Sequence, residues 1–292
     1  MQAVLKAQIN KTDRNDARGI AQMIRLGLCR TKDVRKNACY VFIGKAVKPV
    51  PPDDRGNGID LMTSLNILSG GAAQGLVASL APKFREMTGF DIAGEFGAVG
   101  AMADKLRKGM PADIVILTAK MIAGLAGENL VVRASISDVG LVETAIAVRA
   151  SDPLVTVKDA AALRDALLAA DAIFVPDTKT STAGIHVAKV LRQLGIADAV
   201  TARLKIYPNG ATAMRHLAAS DALRPIGCTQ STEIISTPGV ALSGSLPPGC
   251  ELATMYTAAV TTRAANARQA QSLIDLLIGA DQRERAGFLS GQ

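Results

Sequence analysis

One pattern recurs from Leu65 toward the C-terminus: a short apolar run, a glycine-rich turn, then a helix with a single apolar stripe. Such alternation builds parallel sheet from β-α-β units, because parallel strands need a crossover and the crossover helix buries its stripe on the sheet. Residues 65–69 (LNILS) read as the first strand and residues 70–75 (GGAAQG) as its turn. The next helix places Leu76, Val77, Leu80, Phe84 and Met87 on one face, and TGF at residues 88–90 stops it. A second strand ends near Phe96, GAVGAM turns the chain, a helix runs to about Lys108, and residues 113–117 supply a third strand.

The same pattern then starts again. Residues 142–150 (VETAIAVRA) form a longer strand that crosses to a second lobe. There follow a helix at residues 158–169, the strand AIFV, the turn PDTKTSTAG and a helix at residues 184–194 that buries Val187, Val190, Leu191 and Leu194. The strand RLKIY, the turn PNGAT, a helix at residues 212–219 and the strand PIGCT at residues 225–229 complete that lobe. A second long apolar run, residues 253–262 (ATMYTAAVTT), returns the chain to the first lobe, where a helix at residues 266–278 packs through Leu273, Ile274 and Leu277. Two crossings imply a hinge, with lobe 1 at residues 62–144 and 254–292 and lobe 2 at residues 145–253.

Composition narrows the chemistry. At 49% hydrophobic and 20% charged, the chain has ample material for a buried core. Aromatic residues are 3% and tryptophan is absent, which argues against stacking platforms for bases or sugar rings. The net charge of +7 is not spread evenly: residues 1–61 hold 12 Lys+Arg against 6 Asp+Glu, and the remainder is nearly neutral. The body therefore gives no reason to expect a nucleic-acid partner. Cys29, Cys39, Cys228 and Cys250 show no paired zinc spacing, and His186 and His216 are the two histidines, so no metal or other cofactor is expected. Cys228 and Cys250 fit either a buried pair of free thiols or a disulfide. No stretch approaches the apolar length of a membrane span, and the N-terminal residues lack the continuous apolar core of a signal peptide, so the chain as written is expected to stay in the cytoplasm.

The leader reads differently from the body. Residues 11–30 read as an amphipathic helix with Ile20, Met23, Ile24 and Leu26 on its stripe. This segment, at residues 1–35, resembles a fragment of the insertion-sequence transposases of the DEDD class, with Asp13 and Asp16 matching one of the acidic pairs. Two-metal phosphoryl transfer needs a full set of carboxylates, so the leader is expected to be a remnant without activity. Residues 47–58 (VKPVPPDDRGNG) read as a linker, and Met62 stands directly before the first strand as a candidate native start.

The motifs LSGGAAQG, FGAVGA, GMPADIVIL, TSTAGIHVAKVLRQLGI, PNGATAMR, IGCTQSTEI and YTAAV, in this order over residues 64–290, resemble the molybdate-binding solute receptors of ABC transporters. The resemblance implies an α/β, two-lobed periplasmic-binding-protein-like (type 2) fold, each lobe a mainly parallel sheet flanked by helices, joined by a two-strand hinge. It implies a monomer that closes on a small anion, an ABC transporter permease as partner and a periplasmic location. The ligand positions carried over are Ser69, Gly70, Gly71 and Ala72 in the first turn and Ala98 and Val99 in the second. Ala183 and Gly184 follow at the third, Asn209 and Gly210 at the fourth, and Gln230 after the strand PIGCT.

This sequence departs from that family at its hydroxyls. The first two turns read GGAA and GAVG, and Gln230 stands where the family has tyrosine. Losing neutral donors, each contributing about 0.5–1.5 kcal/mol, points away from molybdate and toward an organic carboxylate held on helix N-termini. An isomerase of a small tricarboxylic acid, resembling aconitate isomerase on the same fold, is the alternative to a binding protein. His186 reads as a partly buried, hydrogen-bonded residue. Arg215 suits either a ligand carboxylate or a solvated helix face, and Glu233 either a general base, if buried, or a helix N-terminal charge.

Overall fold

The computed structural model describes residues 64–279 and 281–290. The leader helix, Asp13, Asp16, Cys29, Cys39, the linker at residues 47–58 and Met62 lie outside the described residues. In the first lobe, β1 (Ser64–Gly70) pairs in parallel with β2 (Asp91–Gly97) and β3 (Ile114–Thr118). Helices α1 (Gln74–Thr88), α2 (Val99–Arg107) and α3 (Ala119–Gly127) follow these strands in turn. The α1 stripe buries Leu76, Val77, Leu80 and Phe84, and Gly89 at φ 73° stops the helix by donating its N–H to the Arg85 carbonyl. Met87, expected on that stripe, is exposed. Four consecutive residues of β3 are buried, as befits a strand covered on both faces.

The second lobe repeats the plan. Strand β5 (Ala172–Pro176) pairs in parallel with β6 (Leu204–Tyr207) and β7 (Pro225–Gln230). Around them lie α4 (Ala160–Ala169), α5 (Thr182–Gln193), α6 (Ala197–Val200), α7 (Gly210–Ala218) and α8 (Ser231–Ile235). Helix α4 starts two residues later than the sequence suggested because the Asp159 side chain caps it, accepting from the Ala162 N–H at 2.8 Å. Helix α7 starts two residues earlier, at Gly210, because Asn209 caps it in the same way through the Thr212 N–H.

Two strands connect the lobes, and both run antiparallel to their neighbours. The long strand β4 (Ser137–Arg149) pairs with β9 (Ala253–Val260) through Glu143, then with β7 from Thr144 onward. Its outer half also pairs with β8 (Val240–Ser245), a strand the sequence reading missed. The resulting order is β2-β1-β3-β9-β4-β7-β5-β6, with β8 on β4. Strand β4 begins five residues before the expected start, and a bulge at Asp138/Gly140 interrupts the first part of its pairing with β9. Gly140 has φ 151°, and a Cβ there would sit 2.9 Å from the Leu289 carbonyl oxygen, so only glycine lets the C-terminal segment lie against the strand. Helix α9 (Ala267–Gly279) returns to the first lobe, and α10 (Gln282–Arg285) leads into Phe288, which is buried there edge-on against Tyr256.

Apolar packing divides accordingly. One core gathers residues from Leu65 to Val142 with Tyr256 to Phe288, and two smaller ones lie within residues 145–250. Asp113 is buried in the first, where it accepts from the backbone N–H groups of Asn66 and Asn266 and so ties β1 to the start of α9.

Candidate ligand-binding cleft

The strands end, and their helices begin, at turns whose first N–H groups have no partner within the helix. Gly70 leads into a single 3-10 turn, Gly71–Ala73, before α1. Ala98, Thr118, Ser181 and Gln230 are extended residues preceding α2, α3, α5 and α8, with no side-chain cap. Uncapped N-termini at the carboxyl ends of strands favour negative charge from a ligand or a neighbouring side chain.

At the floor of this region the neighbouring charge is internal. Glu233 is only 4% exposed, and its carboxylate accepts from the Thr229 hydroxyl at 2.6 Å. A Cβ built on Gly210 would overlap Glu233 Oε2, and one built on Gly71, from the other lobe, would overlap Oε1. The carboxyl group is thus wedged between turns of the two lobes. Burial pushes its pKa above the ordinary carboxylate value, against the pull of hydrogen bonds from the Thr229 hydroxyl and the N–H groups of Ala211, Gln230 and Gly210.

A second cluster adjoins it. The Tyr256 hydroxyl donates to Gln230 Oε1 at 2.9 Å with both residues buried. A Cβ on Gly70 would fall 2.8 Å from Val99 Cγ1 and 2.9 Å from Tyr256 Cε1. Burial, then the charge of Glu233, pushes the Tyr256 pKa up, so the phenol stays protonated and able to donate. The sequence reading assigned Gln230 to the place of a lost tyrosine hydroxyl; the structure brings the hydroxyl of Tyr256 onto Gln230 itself.

The open space lies beside these clusters. A cavity of about 620 Å³ runs between Val99, Thr118 and Lys120 of the first lobe and Thr182, His186 and Lys189 of the second, over Leu252–Met255 at the start of β9. Lys120 sits in the first turn of α3, and His186 and Lys189 share one face of α5 at a spacing of three residues. The His186 Nε2–H donates to the Cys250 carbonyl at 2.8 Å, which fixes the ring at the cavity wall.

Of the ligand positions carried over from the resemblance, Val99 alone lines this cavity, and His186, read separately as a partly buried residue, lines it as well. Gly70, Val99 and Gln230 converge on Tyr256, whereas Gly71 and Gly210 converge on Glu233. Ser69 is fully buried and donates to the Gly70 carbonyl, Ala72 is buried in the first core, and Ala98 precedes α2. Ala183 is buried at the start of α5, and Gly184 packs against the Pro176 and Asp177 carbonyls, where a Cβ would overlap backbone. Asn209 is engaged as the α7 cap. Arg215 is exposed and donates to Thr212 Oγ1, the solvated-face arrangement. Cys228 and Cys250 are free buried thiols, and burial pushes the Cys228 pKa up to about 12. Lys120, Lys189 and Tyr256 were not singled out. A lysine two residues after the strand end LT, and another three residues past His186, were the available cues.

Two α/β lobes joined by two antiparallel strands, with helix N-termini and basic side chains facing a shared cleft, define a solute-binding protein. The chain belongs to the bacterial extracellular solute-binding protein family, whose model matches residues 65–287. It is 25% identical over 231 residues to an aconitate isomerase from a Pseudomonas species, across 75% of this chain and 84% of that protein. Its fold is similar to that of the periplasmic molybdate-binding protein of Azotobacter vinelandii, with TM-score 0.63 and 20% identity over 78% of this chain and 100% of that one. The sulfate-binding protein SubI of Mycobacterium tuberculosis H37Rv is also similar, with TM-score 0.59 and 19% identity over 77% of this chain and 86% of that one.

Proposed function

We propose that the chain receives a small organic polycarboxylate in its cleft, closes on it about the β4 and β9 crossings, and presents the closed form to an ABC-type permease. The observation that carries this reading is the pair Lys120 and Lys189, which line the 620 Å³ cavity from different lobes, Lys120 in the first turn of α3 and Lys189 two turns into α5. Two cations on separate lobes suit a ligand with two or more carboxylates, because one molecule then draws both lobes together. The volume lies in the range of organic ligand sites, and the lining offers threonine hydroxyls without a Phe, Tyr or Trp plate for a sugar. Similarity to oxyanion-binding proteins supports an anionic ligand.

A thermal-shift panel on the full chain with citrate, both aconitates, sulfate, phosphate and molybdate tests this directly. A bound ligand at 100 times its dissociation constant adds about 2.7 kcal/mol. Stabilisation by tricarboxylates is the expected result; stabilisation by molybdate alone would contradict the ligand class.

A second reading, isomerisation of a small tricarboxylic acid, is favoured by the buried Glu233. A buried carboxyl whose pKa is raised above the ordinary carboxylate value holds its proton more readily than a solvated one, as proton exchange with a ligand requires, and the similarity to aconitate isomerase points the same way. Incubating the protein with cis-aconitate and following the trans isomer by chromatography tests it, and no conversion above the uncatalysed rate would remove it.

A further inference from the structure

The Glu233 carboxylate holds the donors that an oxyanion would need at the floor of the cleft. These are the Thr229 hydroxyl and the N–H groups of Ala211, Gln230 and Gly210, while Gly71 closes on the carboxyl from the other lobe. The group is built in. Thr229 is fully buried, Thr237 donates to the Glu233 carbonyl at 2.7 Å, and α8 packs on α1 where Gly75 meets Ser236.

We propose that Glu233 is a specificity-determining residue: a tethered internal anion that fills the floor of the cleft and turns away tetrahedral oxyanions. Ligand carboxylates are left to the cavity between Lys120 and Lys189. Two physical terms favour the tethered group. It competes for the donors at the high effective concentration of an intramolecular ligand, without the loss of translational freedom that a dissolved oxyanion suffers. A second anion at the same donors would also have to displace the carboxyl oxygens already bonded there, in a poorly solvated space. This assignment deepens the reading of the cleft as the ligand site and rests on it.

The test is a calorimetric titration of the full chain with sodium tungstate, for the wild type and for Glu233→Ala and Glu233→Ser. Citrate is titrated alongside each. The wild type is expected to bind tungstate no tighter than millimolar, and removing the carboxylate is expected to tighten it at least tenfold by freeing the donors. Micromolar tungstate binding by the wild type would overturn the proposal, and that arm decides even where a variant fails to fold. A folded variant that binds tungstate no better than the wild type would overturn it equally. Citrate binding reports separately on the proposed ligand class: its loss in the wild type, with tungstate gained in the variants, would sink that class and leave the role of Glu233 standing.

Discussion

Glu233 couples protonation to folding because its carboxyl is solvated in the unfolded chain and buried in the folded one. Its folded pKa is raised above the ordinary value of 4.5, so between the two values the folded state binds more protons than the unfolded state. Stability contributed by this group is therefore full below pH 4.5 and is lost as pH rises toward the folded value, at a slope of at most about 1.4 kcal/mol per pH unit. Glu233→Gln removes that slope. Urea unfolding from pH 4 to 8 checks it: the wild-type curve is expected to fall relative to the variant, and parallel curves would contradict the assignment. The neighbouring glycines have their own consequence. Gly210→Ala drives a Cβ into the Glu233 carboxylate and the Thr229 hydroxyl, and an overpacking loss of about 1–3 kcal/mol is expected in denaturant unfolding. At this scale the sequence was legible only in part. It marked Gly71, Gly210 and Gln230 as belonging to cleft turns, but it left open whether Glu233 points inward. That direction depends on a glycine 162 residues away in the chain, which no local pattern encodes. Tyr256 was hidden for a similar reason: inside the run ATMYTAAVTT it reads as core, and its hydroxyl gains a role only when β9 passes Gln230.

Among the elements, α5 illustrates that a glycine carried over as a ligand position is also required by packing. Gly184 lets the first turn of α5 approach the end of β5, and the atoms it meets are backbone carbonyls that cannot rotate away. Gly184→Ala is expected to cost about 1–3 kcal/mol and to displace α5, carrying His186 and Lys189 with it. Thermal unfolding measures the first effect and a loss of citrate affinity the second; an unaffected variant would mean that α5 yields freely. Strongly periodic elements such as α1 and α5 were legible because their buried faces repeat at the helical period. Helix α3 was not, since AKMIAGLAG carries two glycines and lacks a clear polar face, and β8 (VALSGS) is a partly exposed edge strand without an apolar run. Missing α3 meant missing Lys120.

For the whole molecule, the order of elements reveals more than any one of them. Two runs of strand, turn and helix interrupted by two long apolar segments were enough to expect two lobes and two crossings, because only a long strand can serve both sheets. The partner exchange of β4 between Glu143 and Thr144 is the structural form of that expectation. On the proposed reading, closure about this region would bring Lys120 and Lys189 toward one ligand, so small-angle scattering is expected to show a smaller radius of gyration with citrate than without. An unchanged radius would mean that the cleft binds without closing. The most direct test is a calorimetric titration of the full chain with tricarballylate, a saturated tricarboxylate, repeated for Lys120→Ala and Lys189→Ala. The account predicts saturable one-to-one binding that each substitution weakens about tenfold, or about 1.4 kcal/mol. No binding, or binding that neither substitution alters, would contradict it.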